Sequence, residues 1–228
     1  MPTLDWLKKE FDYGYDSGDI LKLFPDEVRK KEEEKIGGSY RKVFRKAVLP
    51  YIGKNNKILE LGPGRGSWTR AILKYISNGE LTTIDFQDLT GFLHPERYNG
   101  HLKCVKVDGS DYSALTDNYF DFFWSMGVLC HNNQDNIFQI LKNSISKMKP
   151  GGISVHQYGD WEKLNKYGWD KGGVPKEFAN KPDDEIWWPR NNQKDMSELC
   201  KRAGWEVITA DLGLVDRDSI IVLRRPKN

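Results

Sequence analysis

An acid two residues ahead of three alternating glycines, Glu60-Leu61-Gly62-Pro63-Gly64-Arg65-Gly66, is the part of this 228-residue chain best equipped for ligand chemistry. Glycine lacks a Cβ, takes backbone angles closed to other residues and lets a ligand come close to the main chain. The apolar run before it reads as a strand, and a helical pattern opens at Ser67. A strand, a glycine turn and a helix opening at that turn aim N–H groups at a ligand, a nucleotide-type arrangement. The spacing G-x-G-x-G is not the dinucleotide pattern, whose third glycine comes three residues after the second. Asp85 closes a later apolar run about 20 residues past the glycines, where an acid can accept from ribose hydroxyls. Asp108-Gly109 closes another. The plainer alternatives are a tight structural turn for the glycines and helix capping for the acids.

Hydrophobic periodicity supplies the elements that must hold these residues. Residues 57–61 are the strand entering the glycine turn. Trp68, Ala71, Ile72, Tyr75 and Ile76 recur at helical spacing, the stripe of a helix packed on a sheet. Strands are expected at 81–85, 102–109, 120–127 and 153–157. Ile137, Ile140, Leu141, Ile145 and Met148 form a helix face between the last two. Upstream, Phe24-Pro25-Asp26-Glu27 is a helix start, Gly37-Gly38 ends that helix, and a second runs over 39–51. Toward the end, 195–203 reads as a helix and 205–211 and 219–225 as strands. Strands alternating with helices predict an α/β fold, a parallel sheet covered on both faces, and the last two strands read as an antiparallel pair. Ligands of such sheets bind outside the carboxyl ends of the strands. Glu60, Asp85, Asp108, the 125–131 segment and the 156–158 segment therefore meet at one crevice.

The length suits one full α/β domain, and 38% hydrophobic with 30% charged residues is ordinary globular composition. Thirty-five basic and 33 acidic side chains leave a net charge of +2, too little to single out nucleic acid or an anionic membrane as partner. Cys104, Cys130 and Cys200 show no C-x-x-C spacing, which fits a reducing compartment and no structural zinc. Residues 1–10 lack an apolar signal core, so a cytoplasmic location is expected. The chain reads as a single domain over 1–228. It carries an N-terminal helical arm or lid at 1–52 and an aromatic-rich insertion at 158–193 that holds Trp161, Trp169, Trp187 and Trp188.

The acid–glycine stretch resembles motif I of class I S-adenosylmethionine-dependent methyltransferases, E/D-x-G-x-G-x-G. The resemblance extends over roughly 39–158 and 195–225. It takes in Asp85, Asp108-Gly109, Ser125-Met126-Gly127-Val128-Leu129-Cys130-His131, Lys149-Pro150-Gly151-Gly152 and Ala203-Gly204-Trp205-Glu206-Val207. It implies a Rossmann-like sheet of seven mostly parallel strands in the order 3-2-1-4-5-7-6, strand 7 antiparallel, and S-adenosyl-L-methionine as cofactor. Carried over residue by residue, Glu60, Gly62, Gly64 and Gly66 face the methionine part and Asp85 the ribose. Phe86 lies along the adenine, Asp108 and Gly109 meet its edge, and Ser125 lines the methyl-donor end.

Methyl transfer is an in-line displacement that needs alignment and exclusion of water. A hydroxyl acceptor also needs a group to take its proton. His131 and His156 stand near strand ends on the ligand side and are the candidate bases, with Tyr158 and Asp160 as possible orienters. His131 and Asp135 are spaced i, i+4 but lack a third ligand, so no metal is expected. Arg190 is a candidate anion binder in the insertion. The expected function is methylation of a small molecule, on oxygen, with a sugar, a phosphorylated compound or another small metabolite as acceptor. A nucleic-acid methyltransferase is the alternative, against which the missing Asn/Asp-Pro-Pro-aromatic segment and basic stripe argue. A non-catalytic binder of S-adenosylmethionine is another, and a nicotinamide dehydrogenase is disfavoured by the glycine spacing. Nothing here sets the oligomeric state.

Overall fold

The computed structural model describes residues 15–227. β1 (Lys57–Leu61) is buried on both faces, as a central parallel strand must be, and pairs in parallel with β2 (Glu80–Asp85) and β4 (Phe120–Ser125). β3 (Leu102–Lys106) lies outside β2, and β5 (Met148–Gly159) lies outside β4. β7 (Asp218–Arg224) runs antiparallel to β5, and β6 (Glu206–Thr209) closes that edge. The seven-stranded order is 3-2-1-4-5-7-6, the order and the antiparallel seventh strand that the sequence leads one to expect.

On one face of the sheet lie α1 (Glu27–Ile36), α2 (Tyr40–Val43) and α3 (Ser67–Leu73), with the short α4 (Thr90–Leu93) beyond β2. The opposite face carries α5 (Gln134–Ser144) and, after α6 (Trp161–Tyr167) in the insertion, α7 (Gln193–Arg202). Alternation along the strands divides the core. Ile58, Phe122, Trp124 and Val155 pack with Trp68 and Ile72 on one side. Leu59, Phe123, Ile221 and Leu223 pack with Leu141 and Met196 on the other.

Three stretches differ from the sequence reading. The helix expected over 39–51 holds as α2 for one turn, then relaxes into a π turn (Phe44–Val48) and a 3₁₀ turn (Leu49–Tyr51), where Pro50 has no N–H to continue it. β4 stops at Ser125, so 126–131 is loop. β5 starts early: the Lys149-Pro150-Gly151-Gly152 turn is absorbed as a bulge, with the Gly151 N–H donating to the Arg225 carbonyl and the Arg225 N–H donating to the Gly152 carbonyl. The insertion builds α6 and a 3₁₀ helix (Lys176–Asn180) around its own apolar centre of Leu164, Trp169, Val174, Phe178, Ile186 and Trp188. No helix among the described residues is long and apolar enough to cross a membrane.

Candidate active site

β1 delivers Glu60 beneath the glycine turn. Its carboxylate accepts from the Thr69 hydroxyl of α3 at 2.7 Å, and burial lifts its pKa to about 7. Gly62, Gly64 and Gly66 have φ of +66°, +54° and +80°, a region that L side chains rarely enter. A Cβ at Gly64 would stand 2.5 Å from the Tyr15 carbonyl oxygen, which accepts from the Arg65 N–H. The close approach that Gly64 permits is thus made by the chain's own N-terminal arm. Asp16 accepts from the Ser67 hydroxyl at 2.7 Å, and Ser67 Oγ accepts in turn from the Ser17 N–H. Arg29, 1% exposed, fastens the arm further by donating to the carbonyls of Asp19 and Lys22. Residues 1–14 of the expected lid lie outside the described residues.

Asp85 ends β2 half-buried. One carboxylate oxygen accepts from the Gln87 N–H at 3.0 Å, and burial raises its pKa to about 6. Phe86 beside it is half-buried, while Asp108 and Gly109 stand exposed past the adjacent β3. Gly109 has φ +58° and open space where a Cβ would be. These four residues share one end of the sheet, as the strand order requires.

Ser125 and His156 lie elsewhere than expected. They are register partners on β4 and β5, both fully buried, and Ser125 Oγ lies 2.7 Å from His156 Nδ1. Ser154 Oγ holds the other ring nitrogen at 2.5 Å, and the ring packs edge-on against Phe123. Side chains alternate along a strand, and this parity turns both residues into the layer under α5 and α7. Ser125 therefore does not line the crevice. His156 is fully buried with both ring nitrogens held by serine hydroxyls, away from the cavity lining, and burial pushes its pKa down to about 3. Tyr158 donates to the Ala210 carbonyl, and Asp160 caps α6 and accepts from Ser219, so neither orients a catalytic group.

The parity that hides His156 brings Gln157 to the crevice. Gln157 Oε1 accepts the Gly127 N–H at 2.8 Å, and its amide donates to Asp218 at 2.8 Å. Asp218, fully buried, pairs with Arg217, whose third nitrogen donates to the Gly172 carbonyl at 2.7 Å. The Arg217 guanidinium also stacks on Trp188 at 4.5 Å, and the Arg217 N–H donates to the Ile36 carbonyl. Sequence reasoning missed this relay. The strand-end acid next to an arginine and the period-2 parity of β5 were its available signals.

A cavity of about 340 Å³ opens against these groups. α1 and α2 wall it with Ile36 and Tyr40, the arm with Tyr15 and Ser17, the β4 loop with Met126, Gly127 and His131, and the insertion with Trp187 and Trp188. His131 closes the 3₁₀ turn Leu129–His131, its ring edge-on to Trp188. Its Nδ1 lies 2.9 Å from the Trp187 carbonyl. A carbonyl only accepts, so Nδ1 carries the proton and Nε2 the lone pair of the neutral ring. Burial lowers the His131 pKa to about 4. Arg190, the expected anion binder, is spent inside the insertion on Asp183 and the Ala179 and Lys181 carbonyls, and stacks on Trp161. Among the described residues no cluster of three His, Cys, Asp or Glu side chains could hold a metal.

Residues 58–152 match a family described as a methyltransferase domain. The chain is 28% identical over 122 residues to the ribosomal RNA large subunit methyltransferase E of Treponema denticola, covering 49% of this chain and 52% of that protein. It thus spans about half the length of that curated relative. A protein of Pyrococcus horikoshii OT3 superposes with a TM-score of 0.66 at 15% identity, over 96% of this chain and 99% of the other. The 1,6-didemethyltoxoflavin-N1-methyltransferase of Burkholderia thailandensis, solved with its substrate and S-adenosylhomocysteine, superposes at 0.58 and 14% identity over 88% and 81%.

Proposed function

We propose that the chain, whose residues 58–152 match a methyltransferase domain, is a class I S-adenosylmethionine-dependent methyltransferase that methylates a hydroxyl of a small molecule held in the 340 Å³ cavity. The observation that carries this reading is His131 at the cavity wall, its tautomer fixed by the Trp187 carbonyl so that Nε2 is the basic nitrogen. The residues present fit the cofactor. Asp85 would hold the ribose hydroxyls, and Phe86 with Gly109 would leave a slot for the adenine. Glu60, its pKa raised by burial, would be drawn toward its ionised form by a cationic ammonium beside it. The bound cofactor supplies a methyl group on a sulfonium already primed for displacement.

This chain's own residues do the rest. Gln157 pins the Gly127 loop at the methyl-donor end, so the acceptor meets a fixed wall. The arm and the insertion both wall the cavity and limit the access of water. His131 Nε2 takes the acceptor's proton as the new bond forms.

The ribosomal RNA relative supports a second reading, RNA methylation. An RNA substrate calls for a basic face, whereas the net charge here is +2 and the cavity is walled by α1 and α2, the arm, the β4 loop and the insertion. Methyl-labelled S-adenosylmethionine incubated with fractionated cell extract separates the two. Label in the small-molecule fraction supports the first reading, and label in RNA supports the second.

A further inference from the structure

Three side chains in the cavity wall, Tyr40, Ser17 and Arg217, keep hydrogen-bond donors that nothing in the fold uses. Tyr40 is 4% exposed and its ring packs on Trp68, yet its hydroxyl meets no hydrogen-bond partner among the described residues. Burial holds this phenol well above its ordinary pKa, so it stays protonated and able to donate. Ser17, buried in the arm, bonds Ser67 through its N–H and keeps its hydroxyl without a partner among the described residues. Arg217 gives Nε and one N–H of Nη2 to Asp218, and one N–H of Nη1 to the Gly172 carbonyl. One N–H on each terminal nitrogen is left. A guanidinium donates in its own plane, so the Trp188 ring stacked on its face does not block them.

The charges beside these donors come in pairs. Arg217 faces the fully buried Asp218, and the half-exposed Lys35 holds Glu32 at 3.0 Å. The wall therefore offers donors in excess without a surplus of positive charge. Buried donors left without acceptors are costly, and a guest of the right chemistry removes that cost. A neutral guest oxygen satisfies few of them. A carboxylate brings two oxygens with about four acceptor sites, and its bonds to a guanidinium are charge-assisted. A phosphate monoester carries about 1.5–2 negative charges, a heavier desolvation cost against a wall whose own charges cancel. Gln157 joins this end of the cavity to the β4 loop, bonding Asp218 on one side and the Gly127 N–H on the other. A group held at Arg217 is thus set at a fixed distance from that loop.

We propose that the acceptor is a hydroxylated carboxylic acid, its carboxylate held by the Tyr40 and Ser17 hydroxyls and the two open N–H groups of Arg217. The proposal rests on the small-molecule reading above and names the chemical class that reading leaves open. It makes Tyr40, Ser17 and Arg217 specificity residues for the acceptor. It also gives Asp218 a positioning role: by holding Nε and Nη2 it fixes the guanidinium and leaves the remaining donors for the guest.

The test reads the charge of the labelled product. Methyl-labelled S-adenosylmethionine and the small-molecule fraction of a cell extract are incubated with and without the purified protein. Label that appears only with the protein is passed over an anion exchanger at about pH 7, where a carboxylate is ionised. The product should be retained, should stay retained after phosphatase treatment, and should pass freely after esterification in acidic methanol. With that acceptor purified, Tyr40→Phe keeps the ring on Trp68 and removes only the hydroxyl. The variant should raise KM by about 10-fold or more, as loss of a hydrogen bond to a charged group does, while kcat and S-adenosylhomocysteine affinity hold. A product that passes the exchanger untreated, or whose retention phosphatase removes, overturns the proposal. So does a Tyr40→Phe variant with the wild-type KM. Label confined to RNA, or no transfer at all, is a different result: it removes the small-molecule reading, and the proposal with it.

Discussion

Asp85 and Glu60 carry the cofactor end of the account, and their environments make separate predictions. Asp85→Ala should weaken S-adenosylhomocysteine binding by about 1–3 kcal/mol, the cost of leaving ribose hydroxyls unpaired in a partly buried site. Calorimetry reads this directly, and unchanged affinity would remove Asp85 from the site. Glu60 predicts a pH dependence of stability. Its folded pKa of about 7 lies above the unfolded value of 4.5, so the folded protein keeps a proton that the unfolded chain releases first. The stability tied to that proton is full below about pH 4.5 and is lost as pH rises through 7. Denaturant unfolding of the cofactor-free protein should show this decline, and Glu60→Gln should flatten it. These two acids were legible because each ends an apolar run. His156 shows the limit of that signal: its neighbours place it at a strand end, but only the parity of β5 tells which face it takes. Gln157, one residue on, holds the position that was assigned to the histidine.

At the scale of elements, the periodic parts were readable and the aperiodic ones were not. β1, β2, α3 and α5 repeat their apolar residues at fixed intervals, so both type and buried face follow from the sequence. The insertion lacks a period because its rings form a separate small core whose contacts are long-range. Cys130 of the β4 loop, for example, packs with Leu164 and Trp188. The arm shows a similar dependence on distant partners. Its path over the glycine turn is set by Ser67 and Arg29, which nothing in residues 15–22 announces. Arg29→Met should leave the Asp19 and Lys22 carbonyls without their donor, costing about 1–3 kcal/mol locally. Hydrogen exchange should then show the 15–22 backbone opening faster while the β1 and β4 amides keep their protection. Uniform loss of protection across the sheet would mean that the arm and the sheet open as one unit.

For the whole molecule, the Arg217–Asp218–Gln157 relay joins what the strand order only brings near. It ties α1 through the Ile36 carbonyl, the insertion through Gly172 and Trp188, and the β4 loop through Gly127. Asp218→Ala would leave Arg217 buried without its counter-charge, and denaturant unfolding should register a loss of about 3–5 kcal/mol. The cavity walls are thus fixed to one frame, and His131 stands in that wall. The most direct test of this arrangement is the turnover of His131→Ala with the acceptor recovered from the label-transfer fractionation. The account predicts that kcat falls by about 10²–10⁴ while S-adenosylhomocysteine affinity stays at the wild-type value. It also predicts that wild-type kcat stays flat from about pH 5.5 to 8, because a histidine held near 4 is already neutral there. Near-wild-type turnover in the variant, or a wild-type rate that climbs through pH 6.5, would contradict it.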